Sequence, residues 1–203
     1  MTCNNGRERI NNHVHTKCIK RTIHRCSCRY LEHAKQCRCF HINHSIRVCE
    51  MCQIVEKELQ LPNNNLSEAG LLHDIGKYYI SQKILEKRGL LTPSERNFVN
   101  AHAFLSYNTL IQFHLPKAIC EIALYHHTTN PQLFDKGLAA CEDDTMKKLA
   151  LIIKTIDIFE VITSDRPYHR GISVSSAVKH FEEIEHNNTV LNILVNESKL
   201  IRN

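Results

Sequence analysis

Residues 71–77 read Leu71-Leu72-His73-Asp74-Ile75-Gly76-Lys77. A His and an Asp side by side between apolar residues put a nitrogen and an oxygen donor at one buried point. Hydrocarbon surroundings penalise both groups unless something pairs them. A metal ion is the natural partner, and two residues do not complete a coordination shell. The remaining donors must therefore come from elsewhere in the chain, on elements that converge on this segment.

Working outward, the flanking sequence is helical in pattern. Ile46, Val48, Met51, Ile54, Val55, Leu59 and Leu61 form an apolar stripe that Pro62 and three Asn residues end. Ser67 and Glu68 then resemble a helix start, for a second helix carrying Leu71 to Ile75 and broken near Gly76. Thr92-Pro93-Ser94-Glu95 reads as a capped start, with Pro at the first helical position, of a helix through Phe98, His102, Leu105 and Leu110. Another helix follows Pro116 and runs through Ile119, Ile122, Ala123 and Tyr125 to His126-His127, after which residues 128–137 read as a loop. Met146 to Ser164 is almost continuously apolar. Its β-branched centre permits a strand, but its length favours a helix. Ser173 to Glu185 gives a last amphipathic helix. The expected fold is an all-α helical bundle, with no alternating strand pattern and no internal repeat.

Composition is that of a globular protein: 203 residues, 42% hydrophobic and 23% charged, without Trp. Residues 1–29 lack clean periodicity and are rich in Asn, Arg, His and Cys. They read as an extension to one domain over residues 30–203. No run approaches the roughly 18 apolar residues of a membrane span, and Met1 to Asn12 lacks the apolar core of a secretory signal. A cytoplasmic protein with reduced thiols is expected, and no membrane association. The net charge of +5 is uneven: residues 1–48 hold ten Lys or Arg against two Glu, and residues 49–203 sixteen against nineteen acids. A basic tail suits contact with nucleic acid or a protein partner, and equally a solvated extension; nucleic-acid binding is the lesser expectation. Cys26-x-Cys28 and Cys37-x-Cys39, with Cys18, His24, His33 and His41 nearby, offer soft zinc ligands, although C-x-C is not the common knuckle spacing. Cys49, Cys52 and Cys120 fit apolar helix faces and read as core.

His44, His73, Asp74, His102, His126, His127 and Asp157 are candidate donors to one site, each on or at the end of an expected helix. Adjacent helical residues point about 100° apart, so His126 and His127 are expected to serve two neighbouring ions rather than share one. A carboxylate beside them has two oxygens and can bridge such a pair. Asp157 lies among Leu149, Leu151, Ile152, Ile153, Ile156, Ile158, Phe159, Val161 and Ile162, where a carboxylate needs a cation: an ion, a buried salt bridge or a helix-cap contact. Taken singly, each His also fits a structural role, and fourteen His make chance pairs common.

Order and context add more. The series His44-Ser45-x-Arg47-Val48, His73-Asp74-Ile75-Gly76-Lys77 and Ile84-Leu85-x-Lys87-x-Gly89-x-Leu91-Thr92 resembles the HD superfamily of metal-dependent phosphohydrolases. It is most similar to the HD-GYP branch. The resemblance continues through His102, His126-His127, Asp157-x-Phe159 and Thr163-Ser164-Asp165-Arg166-Pro167-Tyr168, covering residues 30 to 185. It implies a helical cyclic di-GMP phosphodiesterase whose metals are commonly iron or manganese, with the seven residues above as ligands and Asp74 bridging. Lys77 and Arg166 would neutralise substrate phosphate, with Lys77 beside the reacting group and His169 at a position where many relatives carry Lys. Phe40 stands where relatives with three metals carry Glu, so two divalent ions are expected. The Asp-Gly-x-Gly-Tyr-Pro string of the branch does not follow the His pair, where Thr128 to Gly137 stand instead. The expected function is a metal-dependent phosphodiesterase acting on a cyclic dinucleotide or related nucleotide. The alternative is a degenerate domain that binds metal or nucleotide as a regulatory module.

Overall fold

The computed structural model describes residues 40–61, 65–87, 89–127, 143–165 and 170–200, and among them every regular element is helical. In chain order these are α1 (Phe40–Glu58), α2 (Asn65–Leu72), a 3-10 helix (Ile75–Tyr79), α3 (Gln82–Leu85), α4 (Pro93–Asn100), α5 (His102–Gln112), α6 (Lys117–Tyr125), α7 (Asp144–Thr163), α8 (Val174–Phe181) and α9 (Asn188–Leu200). The all-α expectation holds. The extension 1–29 with its boundary near residue 30, the Cys-x-Cys pairs and the loop 128–137 lie outside the described residues.

The apolar stripe of α1 is the inner face of the bundle: Ile46, Val48, Cys49, Cys52 and Val55 are buried. It packs on α2, where a Cβ on Gly70 would lie only 2.7 Å from the Cys52 sulfur, so glycine sets the closeness of the two helices. Glu56 on α1 also decides where α2 begins. Its Oε1 accepts from the backbone N–H of Leu66 and of Ser67, both at 3.0 Å, which satisfies orphan donors of the first turn. The helix therefore starts at Asn65, two residues before the Ser67 start that the sequence suggests.

Its end also differs from expectation. α2 stops at Leu72, and the chain turns through His73–Asp74 into the 3-10 helix. The physical reason lies in α5. Gly76 presses against that helix so closely that a Cβ would fall 2.1 Å from the His102 carbonyl oxygen, and the Gly76 N–H donates to Ser106 Oγ at 2.8 Å. Gly76 is thus a contact point inside the 3-10 helix, and not the terminator of a longer α-helix.

Thr92 and Glu95 form the anticipated capping box. The single helix expected to follow is two, with the break at Ala101: α4 buries no residue, whereas α5 buries His102, Ala103, Ser106, Thr109 and Leu110. α6 ends at Tyr125, leaving His126 and His127 in a turn. Over 144–163 the helical alternative is correct, capped by Asp143, which accepts from the N–H of Thr145 and Met146. α8 ends at Phe181 rather than Glu185, and a further helix, α9, follows it with Val190, Leu191 and Leu194 buried. Cys49, Cys52 and Cys120 are buried, as core positions should be. Among the described residues no helix is long and apolar enough to cross a membrane.

Candidate metal centre

All seven candidate donors meet in one place. α1 supplies His44, the turn after α2 supplies His73 and Asp74, α5 opens with His102, the turn after α6 supplies His126 and His127, and α7 supplies Asp157. Their donor atoms fall into two groups, each within 4.8 Å: Asp74, His102, His126 and His127 in one, and His44, His73 and Asp157 in the other. Asp74 lies between them. Its Oδ1 is 3.2 Å from His102 Nε2 and 3.9 Å from His126 Nε2, while its Oδ2 is 3.5 Å from His44 Nε2 and 3.4 Å from His73 Nε2. Each oxygen thus faces a different group. His126 and His127 do not divide as helical geometry predicts. Being past the helix end, their rings lie 3.9 Å apart and both point Nε2 at His102, at 3.4 and 3.0 Å.

The histidine tautomers follow from their neighbours. His73 Nδ1 donates to the Gly70 carbonyl at 2.7 Å, His126 Nδ1 to that of Ala123 at 2.7 Å, and His102 Nδ1 to that of Val99. A carbonyl can only accept, so these nitrogens carry the proton and each neutral ring presents its Nε2 lone pair inward. His44 Nδ1 donates to Glu160 Oε2, which turns its Nε2 inward as well. The centre therefore gathers acceptors that face acceptors. His73 Nε2 and Asp74 Oδ1 are buried with no hydrogen-bond partner among the described residues. Converging nitrogen lone pairs and carboxylate oxygens repel one another unless cations sit among them, and this donor set fits divalent ions.

The electrostatics set His44 apart from the other histidines. Burial pulls the His44 imidazole down, but Asp157, Asp74 and Glu160 outweigh it and hold the ring well above its ordinary value. Burial pushes His73 and His126 down, the latter strongly, with the rings of His127, His73 and His102 adding to the effect. His127, the exposed member of the set, is lowered to about 4, chiefly by desolvation of its inner side. Burial alone would raise Asp74, yet Lys77 and His73 keep it well below the carboxylate range; His44 does the same for Asp157. Neutral imidazoles and ionised carboxylates are the forms that bind metal, so His44, which its three carboxylates favour in the charged form, releases a proton when an ion binds.

Lys77 Nζ reaches Asp74 Oδ2 at 2.5 Å, and its side chain is 21% exposed, so a cation stands on the solvent side of the donors. Arg166 and His169 lie outside the described residues. Asp165, five residues beyond Glu160, accepts at Oδ1 from the Gly171 N–H at 2.9 Å. Glu160 has no role in the sequence-based reading. It is fully buried, with Oε2 on His44 Nδ1 and Oε1 accepting from Arg47 Nε, and these two partners overcome burial to lower it to about 2. The signal was present, since Glu160 sits in the same apolar run as Asp157, three residues on.

Residues 29–188 match the HD domain family. The chain is 32% identical over 145 residues to the cyclic di-GMP phosphodiesterase PA4108 of Pseudomonas aeruginosa, an alignment covering 69% of this chain and 34% of that protein. It is 33% identical over 144 residues to the 3'3'-cGAMP-specific phosphodiesterase 1 of Vibrio cholerae, covering 68% and 32%. The chain thus spans about a third of the length of these relatives. Its fold is similar to that of the crystal structure of the L. monocytogenes phosphodiesterase PgpH HD domain, with a TM-score of 0.56 at 19% identity, covering 80% of this chain and 93% of the other.

Proposed function

The chain belongs to the HD domain family, and from that premise we propose that it is a metal-dependent phosphodiesterase acting on a cyclic dinucleotide. The observation that carries this reading is the position of Asp74, one carboxylate whose two oxygens face two separate groups of inward-pointing donors. In this reading His102, His126 and His127 hold one divalent ion, His44, His73 and Asp157 hold the other, and Asp74 is shared. Iron or manganese is the expected metal. Two ions so held would supply a deprotonated water and charge neutralisation for in-line attack on a phosphodiester. The protein's own part is to fix donor directions through the Nδ1 hydrogen bonds and to keep the site dry on its inner side. Lys77, partly exposed beside Asp74, neutralises charge developing on a phosphoryl oxygen. Arg166 and His169 are proposed as phosphate contacts.

The substrate class is supported by the names of the relatives, a cyclic di-GMP phosphodiesterase and a 3'3'-cGAMP-specific one. The test is hydrolysis of cyclic di-GMP, 3'3'-cGAMP, a linear dinucleotide and a generic phosphodiester by manganese-loaded or anaerobically iron-loaded protein. Cleavage of a cyclic dinucleotide in preference to the generic ester is expected. One observation favours a regulatory module instead, namely Thr128 to Gly137 in place of the Asp-Gly-x-Gly-Tyr-Pro string. Metal binding with no turnover of any of the four compounds would establish that second reading and overturn the first.

A further inference from the structure

Of the four histidines whose Nδ1 contacts are described above, three lean on neutral backbone carbonyls, those of Gly70, Val99 and Ala123. His44 alone of these leans on a carboxylate, Glu160, whose second oxygen is occupied by the Arg47 guanidinium. A carboxylate behind an imidazole makes its far nitrogen more basic than a carbonyl does, and so a stronger metal ligand. The two donor groups are unequal in another respect: three histidines and Asp74 form one, whereas the other has two histidines and Asp157. The stronger backing thus falls on the group poorer in nitrogen.

We propose that Glu160, itself held by Arg47, is a positioning residue that strengthens His44 and thereby retains the ion of the His44, His73 and Asp157 group. This inference rests on the two-ion reading above. Glu160 is fully buried on α7, and it acts through His44, which α1 brings to it across the helix interface. Arg47, a third exposed in its side chain, fixes the carboxylate orientation and keeps it from being an isolated buried charge.

The test is a manganese titration of the full chain, read by calorimetry and by electron paramagnetic resonance. The latter separates a coupled ion pair from a lone ion without reference to activity. The wild-type protein is expected to bind two ions and give the coupled signal. Glu160→Gln keeps the shape but offers one oxygen to two donors, so either His44 or Arg47 loses its acceptor. One ion should then bind as in wild type and the other about 10- to 100-fold more weakly, leaving the lone-ion signal at intermediate metal. Glu160→Asp, which keeps the charge, should restore part of the loss. Should Glu160→Gln fail to fold, Arg47→Gln at its partly exposed position carries the same test, with the same ion loosened and the other unaffected. Equal weakening of both ions, or an unchanged titration in these variants, overturns the inference while leaving the centre in place. A wild-type protein that binds no manganese overturns the two-ion reading itself.

Discussion

At Asp74 the two oxygens of one side chain separate two sets of candidate donors, and the expected consequence of removing it differs from that of removing any other of them. Asp74→Ala should abolish loading of both ions, which elemental analysis of the purified protein would show as a fall to background. His73→Ala should do less, because it takes a donor from one group only; a complete loss of metal in that variant would mean that the two positions load as a unit. Lys77→Ala removes a cation 2.5 Å from Asp74 Oδ2, so it should leave metal content intact or higher and cut turnover of a cyclic dinucleotide by about two orders of magnitude or more, the size of effect seen when one charge-stabilising donor is lost. Retained turnover would remove Lys77 from the reaction. These residues were legible because a His or Asp among leucines is an anomaly in a short window of sequence. Glu160 was as anomalous, but its part as backing for His44 depends on a contact 116 residues away.

At the scale of elements, the junction after α2 is what brings His73 and Asp74 to the centre. Gly76→Ala would drive a methyl group into the His102 carbonyl, where a Cβ would lie 2.1 Å from the oxygen. The 3-10 helix and α5 must then separate, and a loss of about 3 kcal/mol or more is expected in urea denaturation, with metal affinity falling too because Asp74 and His102 move apart. Thr92→Ala is the contrasting case. It removes the capping box of α4, a helix that buries nothing, so hydrogen exchange should report fraying of α4 by about 1 kcal/mol while metal content stays unchanged. The capping box could be read from four consecutive residues. The end of α2 at Leu72 could not, since it is imposed by the approach of α5, and the break at Ala101 comes from α5 having a core to meet where α4 has none.

Across the whole molecule the donors come from α1, α5, α7 and the turns after α2 and α6, so the centre ties together helices from residue 44 to residue 157. An ion bound there stabilises only the folded chain. Chelation should therefore lower the melting temperature, and manganese restored to about a hundred times its dissociation constant should return roughly 2.7 kcal/mol. A melting temperature indifferent to both treatments would mean that the donors hold no ion. The sequence by itself determined the helical class and singled out the seven candidate donors, because apolar periodicity, punctuation by Pro and Gly, and costly polar residues among apolar ones are properties of neighbouring residues; the family came from the resemblance of its ordered motifs. Only the tertiary structure decided how those donors are grouped, that His126 and His127 turn to the same neighbour, that each described Nδ1 is capped so that Nε2 points inward, and that Glu160 and Arg47 stand behind His44. Each of these depends on the distance between segments far apart in the chain, and that distance is set by the packing of the helices against one another.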